Sequence, residues 1–190
     1  MSEEEFVQKE YNISDFVDSV IQRIEKDTGF RARMRRADNP LTAEEAWSYL
    51  IKLGNVDLKN DIQRFGFGLV GAAIARDRVK ENGTQTLGRA LNFCRESMTE
   101  EDASVERLLR RVLACRDALE LIPILRRVVV YIQKNEKTAL DYKQLLKDIL
   151  YFGENVKLRW AKDYYSFGKF DVEEAGNAEN AKISGEKVEG

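Results

Sequence analysis

Histidine is absent from this 190-residue sequence, and its absence excludes several classes of enzyme at once. Ser-His-Asp and Cys-His catalysis, histidine-based zinc motifs and acid–base chemistry by imidazole all require that side chain. The carboxylates offer no replacement, because pairs such as Glu44–Glu45 stand where helices are predicted to begin, and there they complement the helix dipole. We therefore expect a protein that is not an enzyme and that uses no metal, cofactor or small-molecule substrate.

Cysteine and proline are scarce, with two residues of each type. Cys94 and Cys115 lack the close spacing of a metal or redox pair, and each stands among apolar residues, so we expect two buried thiols. Few prolines together with 34% charged residues indicate a mostly helical protein.

Long apolar runs are also missing. The longest run, Gly66–Ala75, has ten residues, about half of the ~20 that a membrane-spanning helix needs. The first ten residues show neither the basic nor the apolar region of a signal peptide. We expect a soluble, cytoplasmic protein with no membrane partner.

The net charge of −2 conceals an uneven distribution. Residues 1–10 sum to −3 and residues 171–190 to −4, so residues 11–170 carry +5. The last twenty residues also lack aromatic side chains, and we predict that 171–190 form a disordered acidic tail. Residues 1–170 are predicted to form a single α-helical domain, and the alternative of two lobes divided near 81–99 stays open.

Capping signals predict where the first helices begin and end. Ser14 is a candidate N-cap for the first helix, and Gly29 is its predicted end. Thr42 and Glu45 have the spacing of a capping box for the next helix, which is predicted to end at Gly54.

Apolar residues recur at helical spacing along most of the remaining chain, whereas strand patterns are weak. The fold class that follows is all-α, a compact two-lobed bundle of about eight to nine helices. The further helices are predicted from Asp57 or Asn60 to about Arg78, at Leu87 to Cys94, from Thr99–Asp102 to about Ala114, and near 118–134, 139–151 and 155–166.

The string Gly66-Phe-Gly-Leu-Val-Gly71 matches the spacing of a dinucleotide-binding loop. That loop requires a preceding β-strand, whereas the residues before Gly66 are polar and have the pattern of a helix. Glycine inside a helix costs about 1 kcal/mol relative to alanine. We interpret the string as a site of close helix–helix packing, with nucleotide binding as the weaker alternative.

The segment from Val105 to Leu113 has two opposite faces when it is drawn as a helix. Its aliphatic residues fall within about 80° of Val105, whereas Arg107, Arg110 and Arg111 fall between about 140° and 240°. Glu106 is the one close acidic partner in this segment, so the arginines repel one another unless something anionic lies across them. A basic face on a surface helix is usually only solvated, but the scarcity of acidic residues here raises the case for a polyanionic partner, and both interpretations stay open.

Other arginines occur in similar clusters, and arginine suits bidentate contacts to phosphate. Aromatic residues near the C-terminal helices, such as Trp160, Tyr164 and Tyr165, could stack on bases, although their helical spacing favours core packing. The candidate nucleic-acid-binding residues are Arg35, Arg36, Lys59, Arg89, Arg107, Arg110, Arg111, Arg116, Arg126 and Arg127.

An ordered set of short motifs resembles the CasB family, the small α-helical subunit of the type I-E CRISPR effector complex called Cascade. The set spans roughly residues 14–168. The matching pieces are RMRRADNP at 33–40, TLGRAL at 86–91, SVERLLRRVLACRD at 104–117, LRR at 125–127 and RWAKDYYSFG at 159–168.

The resemblance implies a non-catalytic helical subunit that is present as two copies between the large subunit and the guide-holding backbone of Cascade. It implies non-specific binding that holds guide RNA, target DNA and the displaced strand in an R-loop. By motif, the family's basic contact positions fall on Arg36, Lys59, Arg107, Arg116, Arg126 and Arg127. The sequence departs from the family at 153–155, where some relatives carry basic residues, and Lys157 or Arg159 are candidates to replace them.

The predicted function is thus a non-catalytic Cascade subunit that follows nucleic-acid backbones, while base pairing with the guide supplies sequence specificity. The alternative is a structural adaptor whose arginines meet acidic protein surfaces without touching nucleic acid.

Overall fold

The computed structural model describes residues 3–95, 102–134 and 139–166, with side chains from residue 13 in the first range and from residue 104 in the second. Nine α-helices and no strand occur in these ranges, which confirms the all-α prediction. The acidic tail predicted at 171–190 lies outside the described residues. The helices are α1 Glu3–Lys26, α2 Thr28–Met34, α3 Glu44–Gly54, α4 Asp61–Asp77, α5 Leu87–Phe93, α6 Asp102–Leu113, α7 Ala118–Lys134, α8 Tyr142–Leu150 and α9 Glu154–Ser166.

Several helices begin at a polar side chain that accepts a hydrogen bond from the first turn. Asn60, a predicted start, accepts from the backbone N–H of Gln63 at 3.1 Å. Asp141 does the same for Gln144 at 3.0 Å, and Asp27 does so for Phe30 at 2.8 Å. These caps satisfy N–H groups that have no partner within the helix.

Two of the predicted boundaries near the N-terminus are wrong. Ser14 lies inside α1, which begins at Glu3, and Gly29 is the second residue of α2 rather than the end of a helix. Asp27 explains the second error, because its cap starts a new helix one residue after α1 ends. Of the four arginines that follow Gly29, two therefore lie in α2, Arg31 and Arg33, and two follow its last residue, Arg35 and Arg36.

The capping box predicted at Thr42 and Glu45 is also wrong. Ala43 occupies the N-cap of α3 without a side-chain hydrogen bond. The Thr42 hydroxyl donates to the carbonyl oxygen of Arg36 at 3.2 Å, and Glu45 forms an ion pair with Arg36. Both side chains thus hold the preceding loop against α3.

The glycine string lies in the middle of α4, where Gly66, Gly68 and Gly71 are all buried. A Cβ at Gly68 would lie 2.6 Å from the carbonyl oxygen of Ala37, and one at Gly71 would lie 2.6 Å from Sδ of Met34. The interpretation as a packing site is confirmed, since these glycines let the α2 segment approach the α4 backbone.

The hydrophobic core runs continuously through the described helices. Helix α4 packs against α1, α7 and α8, while α5 packs closely against α9. A Cβ at Gly88 of α5 would collide with the backbone of Trp160, so that glycine permits the α5–α9 contact. Cys94 and Cys115 are both buried, as predicted. The division into lobes near 81–99 stays a prediction.

No helix in the described ranges combines the length and the apolar character that crossing a membrane requires.

Candidate nucleic-acid interface

Helix α6 has the two opposite faces that the sequence predicted. Val105 and Leu109 are buried against the core, whereas Arg107, Arg110 and Arg111 are exposed. The guanidinium of Arg110 donates to Oε1 of Glu106 at 2.7 Å, and the hydroxyl of Tyr165 donates to the same oxygen at 3.0 Å. The side-chain bond from Arg110, followed by that from Tyr165, lowers the pKa of Glu106.

A second exposed pair lies where α6 gives way to α7. Arg116, whose side chain is 85% exposed, forms an ion pair with Glu120. Glu120 also accepts from the backbone N–H of Arg116 at 2.9 Å. These bonds lower the pKa of Glu120, with the side-chain bond as the larger cause.

The arginine cluster of α2 spreads its side chains over different partners. Arg36 forms an ion pair with Glu45 at 3.0 Å, and Arg33 donates to the hydroxyl of Tyr49 at 2.8 Å. Arg35, the C-cap of α2, is exposed and has no carboxylate partner among the described residues.

Asp38 connects this segment to α7, although Asp38 and Arg126 are 88 positions apart. Its Oδ2 accepts from Arg76 of α4 at 2.6 Å and from Arg126 of α7 at 3.0 Å. The Asp38 side chain is only 3% exposed, whereas that of Arg126 is 46% exposed. The tertiary structure thereby brings Arg126 and its exposed neighbour Arg127 beside the segment that carries Arg35 and Arg36.

The other two candidates stand on different elements. Lys59 is exposed in the turn before α4, and Arg89 is exposed on α5, next to the glycine that contacts α9. All ten candidate residues are therefore exposed, and four of them form ion pairs with identified carboxylates of the same chain. The four are Arg36, Arg110, Arg116 and Arg126.

The C-terminal aromatic residues mostly belong to the core. Trp160 is fully buried and Tyr164 is 2% exposed, in agreement with the core-packing interpretation, whereas Tyr165 is half exposed. Trp160 donates to Oδ2 of Asp148 at 2.7 Å, and Arg159 bonds to the other oxygen of that carboxylate. Arg159 thus has a structural partner, while Lys157 lies over the ring of Phe152 at 5.5 Å.

The sequence reasoning missed Asp38, Arg76 and Asp148. No signal for the first two exists in the local sequence, because their contacts join distant segments. The Arg116–Glu120 pair had a local signal, since the two residues are only four positions apart and Glu120 lies in the first turn of the predicted helix that follows Arg116. In the described part of the chain, no cluster of three or more acidic or cysteine side chains is placed to hold a metal ion.

The model of the family described as CRISPR-associated protein Cse2 matches residues 30–165, which is more than half of the chain. The chain belongs to this family. The match runs from within α2 to near the end of α9, and so contains all ten candidate residues. No curated protein matches the chain significantly.

Solved structures with the same fold come from this family and from a CRISPR complex. A crystal structure of a CRISPR-associated protein of the Cse2 family from Thermus thermophilus has a TM-score of 0.62 and 24% identity, over 81% of this chain and 97% of that one. A crystal structure of CasB from Thermus thermophilus has a TM-score of 0.63, with the same identity and coverage. A chain from a CRISPR RNA-guided surveillance complex has a TM-score of 0.64 and 20% identity, over 87% of this chain and 98% of that one.

Proposed function

We propose that the protein is a non-catalytic subunit of a CRISPR RNA-guided surveillance complex and binds nucleic-acid backbones through its exposed arginines. In that role it contacts guide RNA and both DNA strands, and it joins the large and backbone subunits as two copies per complex. Membership of the Cse2 family and the shared fold with a chain of such a complex support this proposal.

The observation that carries the binding role is the exposed arginine face of α6. Three guanidinium groups lie opposite a buried aliphatic face, and Glu106 neutralises part of their charge. A phosphate backbone can supply further negative charge without any base-specific contact. R-loop formation is nearly balanced in free energy, so modest backbone contacts can shift it.

The four intramolecular ion pairs are compatible with this role. Three of the arginines that form them, Arg36, Arg110 and Arg116, are 59–85% exposed, and ion pairs between exposed side chains contribute little to stability. Such an arginine can exchange its carboxylate for a phosphate at small cost. Arg35, Arg111 and Arg127 have no carboxylate partner in the described part of the chain.

The decisive experiment measures salt-dependent binding of a labelled single-stranded oligonucleotide to the full chain, and the lifetime of the R-loop in the assembled complex. Replacing Arg107, Arg110, Arg116 and Arg127 by alanine should weaken binding and shorten that lifetime. Each lost phosphate contact should flatten the plot of log K against log salt by about 0.7.

A matched control removes four exposed lysines that lie outside the candidate set, which changes the net charge equally. These are Lys52, Lys80, Lys134 and Lys162. If the control weakens binding as much as the arginine variant, net charge rather than placement explains the effect, and the candidate residues lose their role.

The structural adaptor is the second candidate, and the four arginine–carboxylate pairs favour it, because they show that this surface can meet carboxylates. It predicts no salt-sensitive oligonucleotide binding and an unchanged R-loop lifetime in the arginine variant. It also predicts that the variant fails to co-purify with the other subunits and guide RNA.

A further inference from the structure

A groove lies between the loop after α2, helix α4 and helix α7, at the place where Asp38 joins the three. Its volume is about 780 Å³, within the range of roughly 300–1,000 Å³ that is typical of small-ligand sites. Its apolar walls include Phe65, Leu119, Ile122 and Pro123. A slot of this size suits one flat aromatic ligand better than the much larger contact area of a stable protein partner.

Unsatisfied polar atoms concentrate in the lining of this groove. Within the described ranges, six buried side-chain polar atoms lack a hydrogen-bond partner, and three of them are Oδ1 of Asp38 and the Nε and Nη2 atoms of Arg76. Buried groups of this kind are normally satisfied, so such a cluster needs an explanation. A group with adjacent donors and acceptors, such as the edge of a nucleobase, can satisfy both an acceptor oxygen and guanidinium donors.

Positive charge exceeds negative charge in the lining. Arg76, Arg126 and Arg127 contribute three cations, whereas Asp38 and Asp61 contribute two carboxylates. Asp61 is itself paired with Arg64. An anionic ligand is therefore favoured over a neutral or cationic one.

Arg126 is placed to open the groove. It shares Oδ2 of Asp38 with Arg76, so the carboxylate keeps one cationic partner when Arg126 turns outward. Because the Arg126 side chain is 46% exposed, this movement requires little desolvation. The turned guanidinium and the neighbouring Arg127 then stand beside the groove as a pair of phosphate contacts.

We propose that this groove binds one unpaired nucleotide of a bound single strand. The base lies between the apolar walls, with its polar edge toward Asp38 and Arg76, and the flanking phosphates contact Arg126 and Arg127. This inference rests on the proposed nucleic-acid-binding function and adds to it a specific site. Bases stacked on protein side chains contribute to affinity with little dependence on sequence, as a guide-directed complex requires.

The experiment compares the binding of two single-stranded DNA oligonucleotides of equal length, one with bases and one composed of abasic nucleotides. The full chain should bind the strand with bases about fivefold or more tightly, since one stacked base contributes that much. The Leu119→Trp variant fills the groove from its rim, where Leu119 is 46% exposed, and should abolish the preference.

Leu158→Trp is the matched control, because Leu158 is exposed on α9 and does not line the groove. It should keep the preference, and circular dichroism should show both variants folded. Equal binding of the two strands by the wild-type chain overturns the groove site and leaves the backbone-binding function intact. Binding of neither strand overturns both proposals.

The groove site is also overturned if Leu119→Trp retains the base preference. The same holds if this variant binds oligonucleotides normally but no longer co-purifies with other subunits, since that result assigns the groove to a protein partner.

Discussion

Asp38 and Asp148 are both nearly fully buried carboxylates that pair with partly exposed arginines, yet their surroundings differ. Both oxygens of Asp148 accept hydrogen bonds: Oδ1 from Gln144 at 2.6 Å and from Arg159, and Oδ2 from Trp160 at 2.7 Å. In Asp38, Oδ2 accepts from both arginines and Oδ1 has no partner among the described residues. The hydrogen-bonding capacity of Asp148 is thus used on both oxygens by neighbouring residues, whereas that of Asp38 is used on one oxygen only.

This difference separates a structural contact from a candidate binding site. Asp148 ties α8 to α9 by residues that all belong to this C-terminal pair of helices. Asp38 joins a loop, α4 and α7 at the edge of a groove, next to two arginines that the sequence analysis had selected. Burial alone therefore does not distinguish the structural contact from the candidate binding site. The two are distinguished by whether both carboxylate oxygens accept hydrogen bonds.

The largest expected effect comes from exchanging each carboxylate for the isosteric amide. Asp148→Asn leaves Arg159 without its counter-charge and presents an amide N–H₂ group to donors. We expect a loss of about 3 kcal/mol in the free energy of unfolding, as for other broken buried pairs. Asp38→Asn also removes a counter-charge, but it should cost less, about 1–2 kcal/mol, because the new NH₂ group can replace Oδ1, which has no hydrogen-bond partner among the described residues, while the amide oxygen still accepts from Arg76. Urea denaturation measures both values.

The order of the two variants should be reversed when the affinity for single-stranded DNA is measured, with the larger effect at Asp38. Asp38→Asn removes the carboxylate that holds Arg126, so the affinity for single-stranded DNA should rise, whereas Asp148→Asn should leave it unchanged. A rise in both variants, or in neither, would remove the distinction between the two sites.

A middle-sized effect is expected from Gly68→Ala, which acts on the segment that carries Asp38. The added Cβ would lie 2.6 Å from the carbonyl oxygen of Ala37, so the backbone beside Asp38 must move. Overpacking costs about 1–3 kcal/mol and offsets the gain of up to ~1 kcal/mol from replacing a helical glycine. We expect a net loss of about 1–2 kcal/mol in thermal or urea unfolding, together with a weaker base preference.

Gly29→Ala provides the control for that substitution. Gly29 also lies in a helix, but the nearest atom to its added Cβ would be Oδ1 of Asp27 at 3.4 Å, an ordinary contact. Its unfolding free energy should stay the same or rise slightly. If both variants lose equal stability, close packing at Gly68 is not the cause.

The smallest effect is expected at the exposed Arg116–Glu120 pair. Glu120→Gln frees the guanidinium and should raise oligonucleotide affinity by about two- to threefold at low salt, with the gain disappearing at high salt. Fluorescence anisotropy over a salt series measures it. Glu25→Gln, an exposed substitution of equal charge on α1, should change affinity less.

The pH dependence of this pair has a definite sign. Arg116 lowers the pKa of Glu120 from its usual 4.5. The contribution of this ion pair to the free energy of unfolding is therefore present above pH 4.5, and it is lost as the pH falls through the lowered pKa of Glu120 in the folded protein. At neutral pH the pair is intact. A gain in affinity for Glu120→Gln that vanished between about pH 6 and pH 8 would contradict this assignment.

Much of the fold followed from local patterns. The helical period predicted the buried Val105 and Leu109 face of α6 and its exposed arginines, because side-chain direction along a helix depends on spacing alone. The polar residues before Gly66 indicated that the glycine string is part of a helix. Helix boundaries were less predictable. Ser14 and Thr42 have capping chemistry, but α1 begins well before Ser14, and the Thr42 hydroxyl donates to the carbonyl of Arg36 in the preceding loop.

The sequence by itself determined eight of the nine helices in the described ranges, apart from some of their ends, together with the two faces of α6 and the exposure of its arginines; the short helix α2 was not predicted. Only the tertiary structure decided that Asp38 lies between Arg76 and Arg126, that Arg36 faces Glu45, and that three separated segments enclose a groove. The physical reason is that helix periodicity is set by neighbours a few residues away. The partner of a charged side chain depends instead on the path of the whole chain, which brings together residues as far apart as Asp38 and Arg126.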